Sequence, residues 1–312
     1  MTHAPSSATT DAFRNLGVTS EPTPADSTVR FPDGAHYRVE IPSVEGPEVL
    51  AEVVKAADEH GVTVNRVSQG SGAMLLSVRE LREMARIGAD AGLEVSLFVG
   101  PREEFDVGNS SRAHDGGVLH GRQRGMRQLR YALEDISRAV ECGIRGFLIA
   151  DLGLLRLVSD LQRSGGLPED VVWKISAVLA PSNPLALRVL ADLGATTVNV
   201  PSDMTLGQLA EMRSAADLPL DLYVESPDAM AGVVRGHEAA ALISVGAPMY
   251  VKYGLRNSRP LYPSGAHVVR EAAAIAREKV NRAAVAQEWI DRMSTGLVQS
   301  EAGAPGLGIP RP

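Results

Sequence analysis

Charged side chains occupy alternate positions in several short, otherwise apolar runs of this sequence. In the run VWKIS, Trp173 and Ile175 share one face, so Lys174 and Ser176 share the other. The same alternation, applied to the other runs, selects ionisable residues near their carboxyl ends. The predicted catalytic residues are Glu40, Asp151, Lys174, Glu225 and Lys252.

These residues offer two kinds of chemistry. The carboxylates Glu40, Asp151 and Glu225 can act as general acid and base, or can bind a divalent cation through oxygen. Either lysine can form an imine with a carbonyl substrate if burial or a neighbouring charge lowers its pKa. A structural alternative stays open, in which the carboxylates form ion pairs with the two lysines or with Arg66. No metal-ligand spacing is visible, so the divalent metal is a hypothesis and the cofactor is unknown.

A second group of polar residues follows the same runs and is suited to holding a substrate. Arg102, directly after the third run, is the arginine best placed to meet an anionic group. The predicted substrate-binding residues are Gln69, Arg102, Ser176, Asn199, Arg256 and Asn257. The long irregular segment 101–124 is rich in Gly, Arg, Asp and His, which favours a lid over the site or a surface insertion.

The elements that must position these residues alternate regularly between strand and helix. Predicted strands occupy 37–43, 62–69, 93–100, 143–151, 171–179, 196–203, 220–226 and 249–254, and helical patterns follow them. Two helices are predicted to begin with capping boxes, at Ser77 with Glu80 and at Thr205 with Gln208. Eight strand–helix units predict an α/β protein with a closed (β/α)8 TIM barrel rather than an open doubly wound sheet.

The barrel is predicted to be a single domain of residues 34–293. Residues 1–33 are expected to form a disordered arm and residues 294–312 a flexible tail. A barrel interior is normally filled by branched apolar side chains, so many buried charges predict ion pairs and a polar site at the carboxyl ends of the strands. Alternation sends further side chains into that interior, from Arg38, Asn65, Glu94, Ser96, Asp221, Tyr223 and Tyr250.

Three pieces of the chain carry a family resemblance: AVECGIRGFLIADLGLL, WKISAVLAPSNPLALRVLADLGATTVNVPSDMTLGQLAEMRS and LDLYVES. They resemble the peptidase U32 family of barrel proteins. The resemblance implies a barrel, a site at the strand ends, and Asp151, Asn183 and Glu225 at positions similar to the family pattern. Several relatives hold an iron–sulfur cluster through cysteines after strand seven, but the corresponding VESPDAMAGVVRGHEAAALI has none. No iron–sulfur cluster is therefore expected, and no nucleophile–base or metalloprotease motif supports peptidase activity.

Composition narrows the function classes further. The 44% hydrophobic and 22% charged residues are typical of a soluble globular protein. A net charge of -7 argues against a nucleic-acid partner. Only the basic stretch Arg122–Arg130 favours one. The lone Cys142 excludes an internal disulfide framework. No apolar run approaches ~18 residues and no signal-peptide layout is visible, so a cytoplasmic protein without a membrane partner is expected.

These observations predict an enzyme similar to U32 peptidases that acts on a small polar or anionic substrate by acid/base hydrolysis or lyase chemistry. Two alternatives stay open. One is a Schiff-base aldolase or lyase that uses Lys174 or Lys252. The other is a non-catalytic barrel that binds a metabolite or serves as a partner subunit. The apolar faces of the closing helix also leave a homo-oligomer open.

Overall fold

Strand and helix alternate eight times along the chain. The computed structural model describes residues 24–105, 110–114, 116–294 and 296–312. The strands are β1 (Tyr37–Pro42), β2 (Arg66–Gln69), β3 (Glu94–Phe98), β4 (Gly146–Ile149), β5 (Val172–Ile175), β6 (Thr197–Asn199), β7 (Leu220–Glu225) and β8 (Met249–Tyr253). The helices are α1 (Pro47–His60), α2 (Val78–Asp90), α3 (Gly125–Glu141), α4 (Leu152–Arg163), α5 (Pro184–Asp192), α6 (Leu206–Ala215), α7 (Ala239–Gly246) and α8 (Val269–Met293).

The eight strands of the described residues form one closed parallel sheet. Each strand pairs with the next along the chain, and β1 pairs with β8 to close the ring. The register places Glu40 beside Arg66 on one side and beside Lys252 on the other. The predicted (β/α)8 barrel is therefore confirmed. Its strands are shorter than the predicted runs, and β2 begins at Arg66 rather than at residue 62.

Outward-facing side chains of the sheet pack against the helices and form the main hydrophobic core. Val39, Val95, Phe147 and Trp173 belong to it and are almost fully buried. Both predicted capping boxes are present, at the starts of α2 and α6, so local sequence fixes where these helices begin. No helix in the described ranges is both long and apolar enough to cross a membrane.

Residues 296–312, which belong to the predicted flexible tail 294–312, pack beneath the barrel where the strands begin. Arg38 at the base of the lumen donates from Nε to Ser300 Oγ at 3.0 Å and from Nη2 to the carbonyl of Pro305 at 2.6 Å. The backbone N–H of Gly308 donates to Glu94 Oε2 at 3.0 Å. Buried charges in the barrel thus hold the backbone of this segment in place.

The part of the predicted N-terminal arm that the structure describes is also packed. Residues 1–23 lie outside the described residues. Phe31, by contrast, is buried, and its ring meets that of Tyr250 edge to face at 5.5 Å between centroids. The guanidinium of Arg38 lies 4.0 Å from the centroid of the Phe31 ring. Phe31 therefore covers the base of the barrel beside the C-terminal segment.

Candidate functional site

Glu40 lies at the centre of a polar cluster inside the barrel. Its Oε2 pairs with the amine of Lys174 and lies 3.3 Å from Nη1 of Arg66. Its Oε1 accepts a hydrogen bond from Ser68 Oγ at 2.7 Å and lies 3.5 Å from Nζ of Lys252. Strands β1, β2, β5 and β8 therefore converge on one carboxylate, whose side chain is completely buried.

Arg66 is the second centre of this cluster. Its Nε lies 2.7 Å from Glu94 Oε1, and its Nη1 lies 3.2 Å from Asp221 Oδ2, besides the contact with Glu40. The guanidinium carbon is 3.4 Å from the centroid of the Tyr250 ring, which matches a cation–π contact. One arginine therefore joins three buried carboxylates.

From the sequence, Arg66 was predicted only as a possible ion-pair partner of the carboxylates. Alternation placed Asn65 in the lumen, and this was wrong. Asn65 precedes β2, and its Nδ2 donates to the carbonyl of Ser300 beneath the barrel at 2.9 Å. The lumen-facing residues of β2 are instead Arg66 and Ser68. Counting outward from Val67, the apolar residue between them, would have given the correct phase.

Burial and neighbouring charges shift the proton affinities of this cluster. Burial alone would raise the pKa of Glu40, but the nearby Lys174, Lys252 and Arg66 outweigh it and hold that pKa well below its usual value. Burial lowers the pKa of Lys174 to about 8, because the attraction of Glu40 only partly opposes it and the charge of Lys252 adds to it. Lys174 therefore titrates close to neutral pH, whereas Glu40 stays ionised.

Lys252 occupies the side of the cluster nearest the carboxyl ends of the strands. Its amine donates to Asn199 Oδ1 at 2.6 Å and lies 4.0 Å from the centroid of the Tyr223 ring. Its contact with a carboxylate is the long one to Glu40. The side chain of Lys252 is 3% exposed and that of Lys174 is 0% exposed, so Lys252 is the lysine nearer to solvent.

Apolar side chains surround the opening at this end. Phe98, Leu148 and Ala150 form a small cluster separate from the main core. Phe98, Leu148 and Tyr223 keep 7–8% of their surface exposed, in contrast to the fully buried Glu40 below them. Ser176, predicted to bind substrate, caps the short 3-10 helix Ala177–Leu179 by accepting from the N–H of Val178 at 3.4 Å. Slightly exposed apolar side chains therefore lie at the carboxyl ends of the strands, above the buried charged cluster.

Two predicted catalytic carboxylates lie outside the lumen. Asp151 caps α4, with Oδ1 accepting from the N–H of Leu154 at 2.9 Å and Oδ2 from the N–H of Gln123 at 3.2 Å. Glu225 follows an irregularity in β7 and turns toward α8, where its Oε2 lies 3.4 Å from Nε of Arg282. Glu40, Asp151 and Glu225 therefore do not converge on one substrate or one metal ion.

The structure also gives no candidate metal centre in the residues it describes. In the described ranges, no three His, Cys, Asp or Glu side chains lie together in an arrangement that could hold a metal ion. The ligand set predicted for a divalent metal is thus not assembled.

Arg102 and Gln69 organise the loop that follows β2. Arg102 is 1% exposed and donates from Nη2 to the carbonyl of Gly70 at 2.7 Å, with Phe98 and Phe105 rings 4.0 and 4.3 Å away. Gln69 donates from Nε2 to the carbonyl of Gly72 and accepts from its N–H. Both side chains are engaged with the backbone of this loop, and their contact with substrate stays a prediction.

Arg256 and Asn257 lie at the rim of the barrel beyond β8. The guanidinium of Arg256 is 59% exposed and lies 3.5 Å from Asp228, and the N–H of Asn257 donates to the same carboxylate at 2.6 Å. Of the predicted site residues, the structure brings together Glu40, Lys174, Asn199 and Lys252. It leaves the two rim residues apart from them.

Comparison with known proteins supports the fold. No protein-family profile matches the chain. No curated protein matches it significantly. A candidate fructose-1,6-bisphosphate aldolase from Coccidioides immitis superposes with a TM-score of 0.51 at 12% identity, covering 84% of this chain and 91% of that one.

Two other solved structures resemble the chain less closely. A candidate copper homeostasis protein, CutC from Streptococcus agalactiae, gives a TM-score of 0.47 at 12% identity and covers 69% of this chain and 98% of that one. A U32 peptidase gives 0.41 at 16% identity, with 66% and 73% covered. At these identities the likeness concerns the barrel fold, and it does not select the U32 peptidases among barrel proteins.

Proposed function

We propose that the protein is an imine-forming lyase in which Lys252 reacts with the carbonyl group of a small ketone or aldehyde. The observation that carries this proposal is the setting of the Lys252 amine, on the side of the cluster nearest the carboxyl ends of the strands and hydrogen-bonded to the neutral Asn199 Oδ1 at 2.6 Å. An amine attacks a carbonyl only when it is neutral. Asn199 is an uncharged partner, and the contact of the amine with the Glu40 carboxylate is longer, at 3.5 Å.

The use of lysine across the chain supports this role. Arginine supplies 27 of the 31 cationic residues, and the four lysines are Lys55, Lys174, Lys252 and Lys279. Three of these four are buried, whereas Lys55 lies exposed on α1. Arginine keeps its proton at any physiological pH, but a buried lysine can lose it. Lysine in the interior therefore supplies a group that arginine could not replace in amine chemistry.

Lys174 is the proton acceptor in this proposal. Its pKa of about 8 leaves part of the population neutral near pH 7 to 8. Glu40 contacts both amines, through Oε2 to Lys174 and Oε1 to Lys252. The ionised Glu40 therefore lies between the two amines and can balance the charge of whichever lysine is protonated.

The reaction then follows from a neutral Lys252. The amine adds to the carbonyl carbon to form a carbon–nitrogen bond, and the oxygen leaves as water to give a protonated imine. The imine withdraws electrons from the adjacent carbon, so a carbon–carbon bond from that carbon can break with its electron pair held as an enamine. The departing fragment leaves as an aldehyde or ketone, the first product, and its hydroxyl proton passes to neutral Lys174. Protonation of the enamine and hydrolysis of the imine return the free lysine and the second product.

Reductive trapping tests this proposal directly. The protein is incubated with pyruvate, glyceraldehyde or butanal and sodium cyanoborohydride, which reduces an imine to a stable secondary amine. We expect a mass increase of one carbonyl adduct, located on Lys252 by peptide mapping and absent from Lys252→Met. Lys279→Met is the matched control, because Lys279 is also buried with a pKa of about 8 but lies on α8, outside the lumen.

Each result has a clear meaning. An adduct on Lys55 alone is ordinary labelling of an exposed amine and contradicts the proposal. An adduct on Lys174 that persists in Lys252→Met overturns the assignment of the reacting lysine. The absence of any interior adduct with all three carbonyl compounds leaves the cluster with a purely structural role.

A further inference from the structure

A cavity lies outside the barrel lumen, between the segment 234–237 and α8. Its volume is about 320 Å³, and we call it the Trp289 pocket. Val234, Val285 and Trp289 line it and keep 54%, 41% and 40% of their surface exposed. Tyr253 of β8 also lines this pocket. The volume is that of a site for a small molecule with about one aromatic ring, since ligand pockets begin near ~300 Å³.

Glu225 supplies the anionic group of this pocket, which His237 and Arg282 also line. Its side chain is 9% exposed, and Oε1 accepts a hydrogen bond from the N–H of Arg256 at 3.0 Å. Its Oε2 lies 3.4 Å from Nε of Arg282, a long distance for an ion pair. The same Nε lies 3.3 Å from Glu278, and the Arg282 side chain is 45% exposed. Arg282 is thus shared between two acids and held weakly by Glu225.

We propose that the Trp289 pocket binds a small primary amine that carries an aromatic ring. The ring would lie against the indole of Trp289 and the two valines, which present apolar surface to solvent. The ammonium would pair with Glu225 Oε2, while Arg282 keeps its contact with Glu278. The Glu225 side chain is nine-tenths buried. A compact ammonium in contact with it therefore gains more electrostatic stabilisation than an exposed guanidinium at 3.4 Å does.

The pocket is connected to the barrel interior through β8 and the residues after it. Tyr253, which lines the pocket, follows Lys252 directly in the chain. The hydrogen bond from the N–H of Arg256 to Glu225 fixes the backbone three residues beyond Tyr253. A ligand on Glu225 therefore touches the strand that carries Lys252. The binding itself does not depend on any reaction of Lys252.

Tryptophan fluorescence gives a direct measurement of binding. The chain has two tryptophans, and Trp173 is buried and stacked on Phe147 at 5.8 Å, so the exposed Trp289 reports on the pocket. The probes are 2-phenylethylamine, 2-phenylethanol and 3-phenylpropionate, which share a ring and differ in charge. We expect saturable quenching with a Kd for the amine at least about tenfold lower than for the alcohol, and the weakest binding for the carboxylate.

Two substitutions separate the role of charge from that of shape. Glu225→Gln should remove the preference for the amine over the alcohol. Arg282→Met should strengthen amine binding, because it removes the competing cation from Glu225. Equal affinity for amine and alcohol in the natural protein, or weaker amine binding in Arg282→Met, contradicts the proposal. So does the lack of any saturable response up to about 10 mM, a concentration above the Kd of even weak ligands.

Discussion

Nζ of Lys252 lies 2.6 Å from Oδ1 of Asn199, and the amide of Asn199 cannot turn away. Its Nδ2 donates to the carbonyl of Ile175 at 2.5 Å, which fixes the orientation of Oδ1 toward the lysine. The Lys252 amine is therefore oriented by a neutral oxygen, with the ring of Tyr223 beside it. The proton affinity of Lys252 should respond directly to the residue at position 199.

Substitutions of Asn199 should change the rate at which Lys252 reacts, in opposite directions. Asn199→Asp places a negative charge against the ammonium, so trapping at pH 8 should be at least about threefold slower. Asn199→Leu removes the acceptor, which should make trapping faster. The measurement is the rate of adduct formation with cyanoborohydride at pH 8. Equal changes of the same sign in both variants would show that only packing had changed.

The pH dependence of stability should contain a contribution from Lys279. Its amine donates to the carbonyl of Pro42 at 2.7 Å, and burial lowers its pKa to about 8 although Glu45 opposes this. Between pH 8 and 10 the unfolded chain holds this proton and the folded chain releases it. The free energy of unfolding should therefore rise with pH, by up to ~1.4 kcal/mol per unit for one group.

Replacing Lys279 by Met should remove that part of the slope. Urea unfolding at several pH values below 10 measures this slope. Higher pH values are avoided because the pKa values of Tyr37 and Tyr250, raised to about 12 each, make stability fall as pH rises above 10. Lys55→Met, on the exposed face of α1, is the control and should keep the natural slope. An unchanged slope in Lys279→Met would contradict the predicted titration.

Arg66→Met should strongly destabilise the fold. The substitution leaves Glu40, Glu94 and Asp221 without the guanidinium that joins them in a buried site. Removing one partner from buried ion pairs typically costs ~3–5 kcal/mol. Urea unfolding at pH 7 measures the loss. Arg86→Met is the control, since Arg86 pairs with Glu83 and Asp90 on the exposed surface of α2 and its loss should leave stability nearly unchanged.

The hydrogen bond from Gly308 to Glu94 can be tested with a pair of substitutions. A side chain at residue 308 would place Cβ 2.9 Å from the carbonyl oxygen of Arg145, so both Gly308→Ala and Gly308→Pro introduce crowding. Only proline also removes the N–H donor. We expect proline to cost roughly 1.5–3 kcal/mol more than alanine, as for a hydrogen bond to a charged group. Equal unfolding free energies would mean that the bond does not contribute.

Much of the fold could be predicted because its signals are local. The spacing of apolar runs and helical patterns gave eight strand–helix units, and the capping residues of α2 and α6 gave two helix starts. Alternation also placed Glu40, Lys174 and Lys252 on the lumen side, because β1, β5 and β8 are regular across those residues.

The sites that were missed depend on irregular or distant structure. Asp151 follows the last residue of β4 by two positions, where the chain already turns into α4 and the carboxylate caps the helix. Glu225 lies beyond the register shift in β7, which breaks the alternation. The ordering of the segment after residue 296 comes from buried groups such as Arg38 and Glu94, and no pattern within GAPGLGIPRP records such distant partners.

The closure of the barrel has a consequence for how the chain is made. β1 is synthesised before the other seven strands, but its second neighbour, β8, begins only at Met249. The carbonyl of Tyr37 is paired later still, by the N–H of Ser300. One of the two edges of β1 therefore stays unpaired until the rest of the barrel has been synthesised. Such late, long-range pairing is slow and leaves a strand edge open to aggregation.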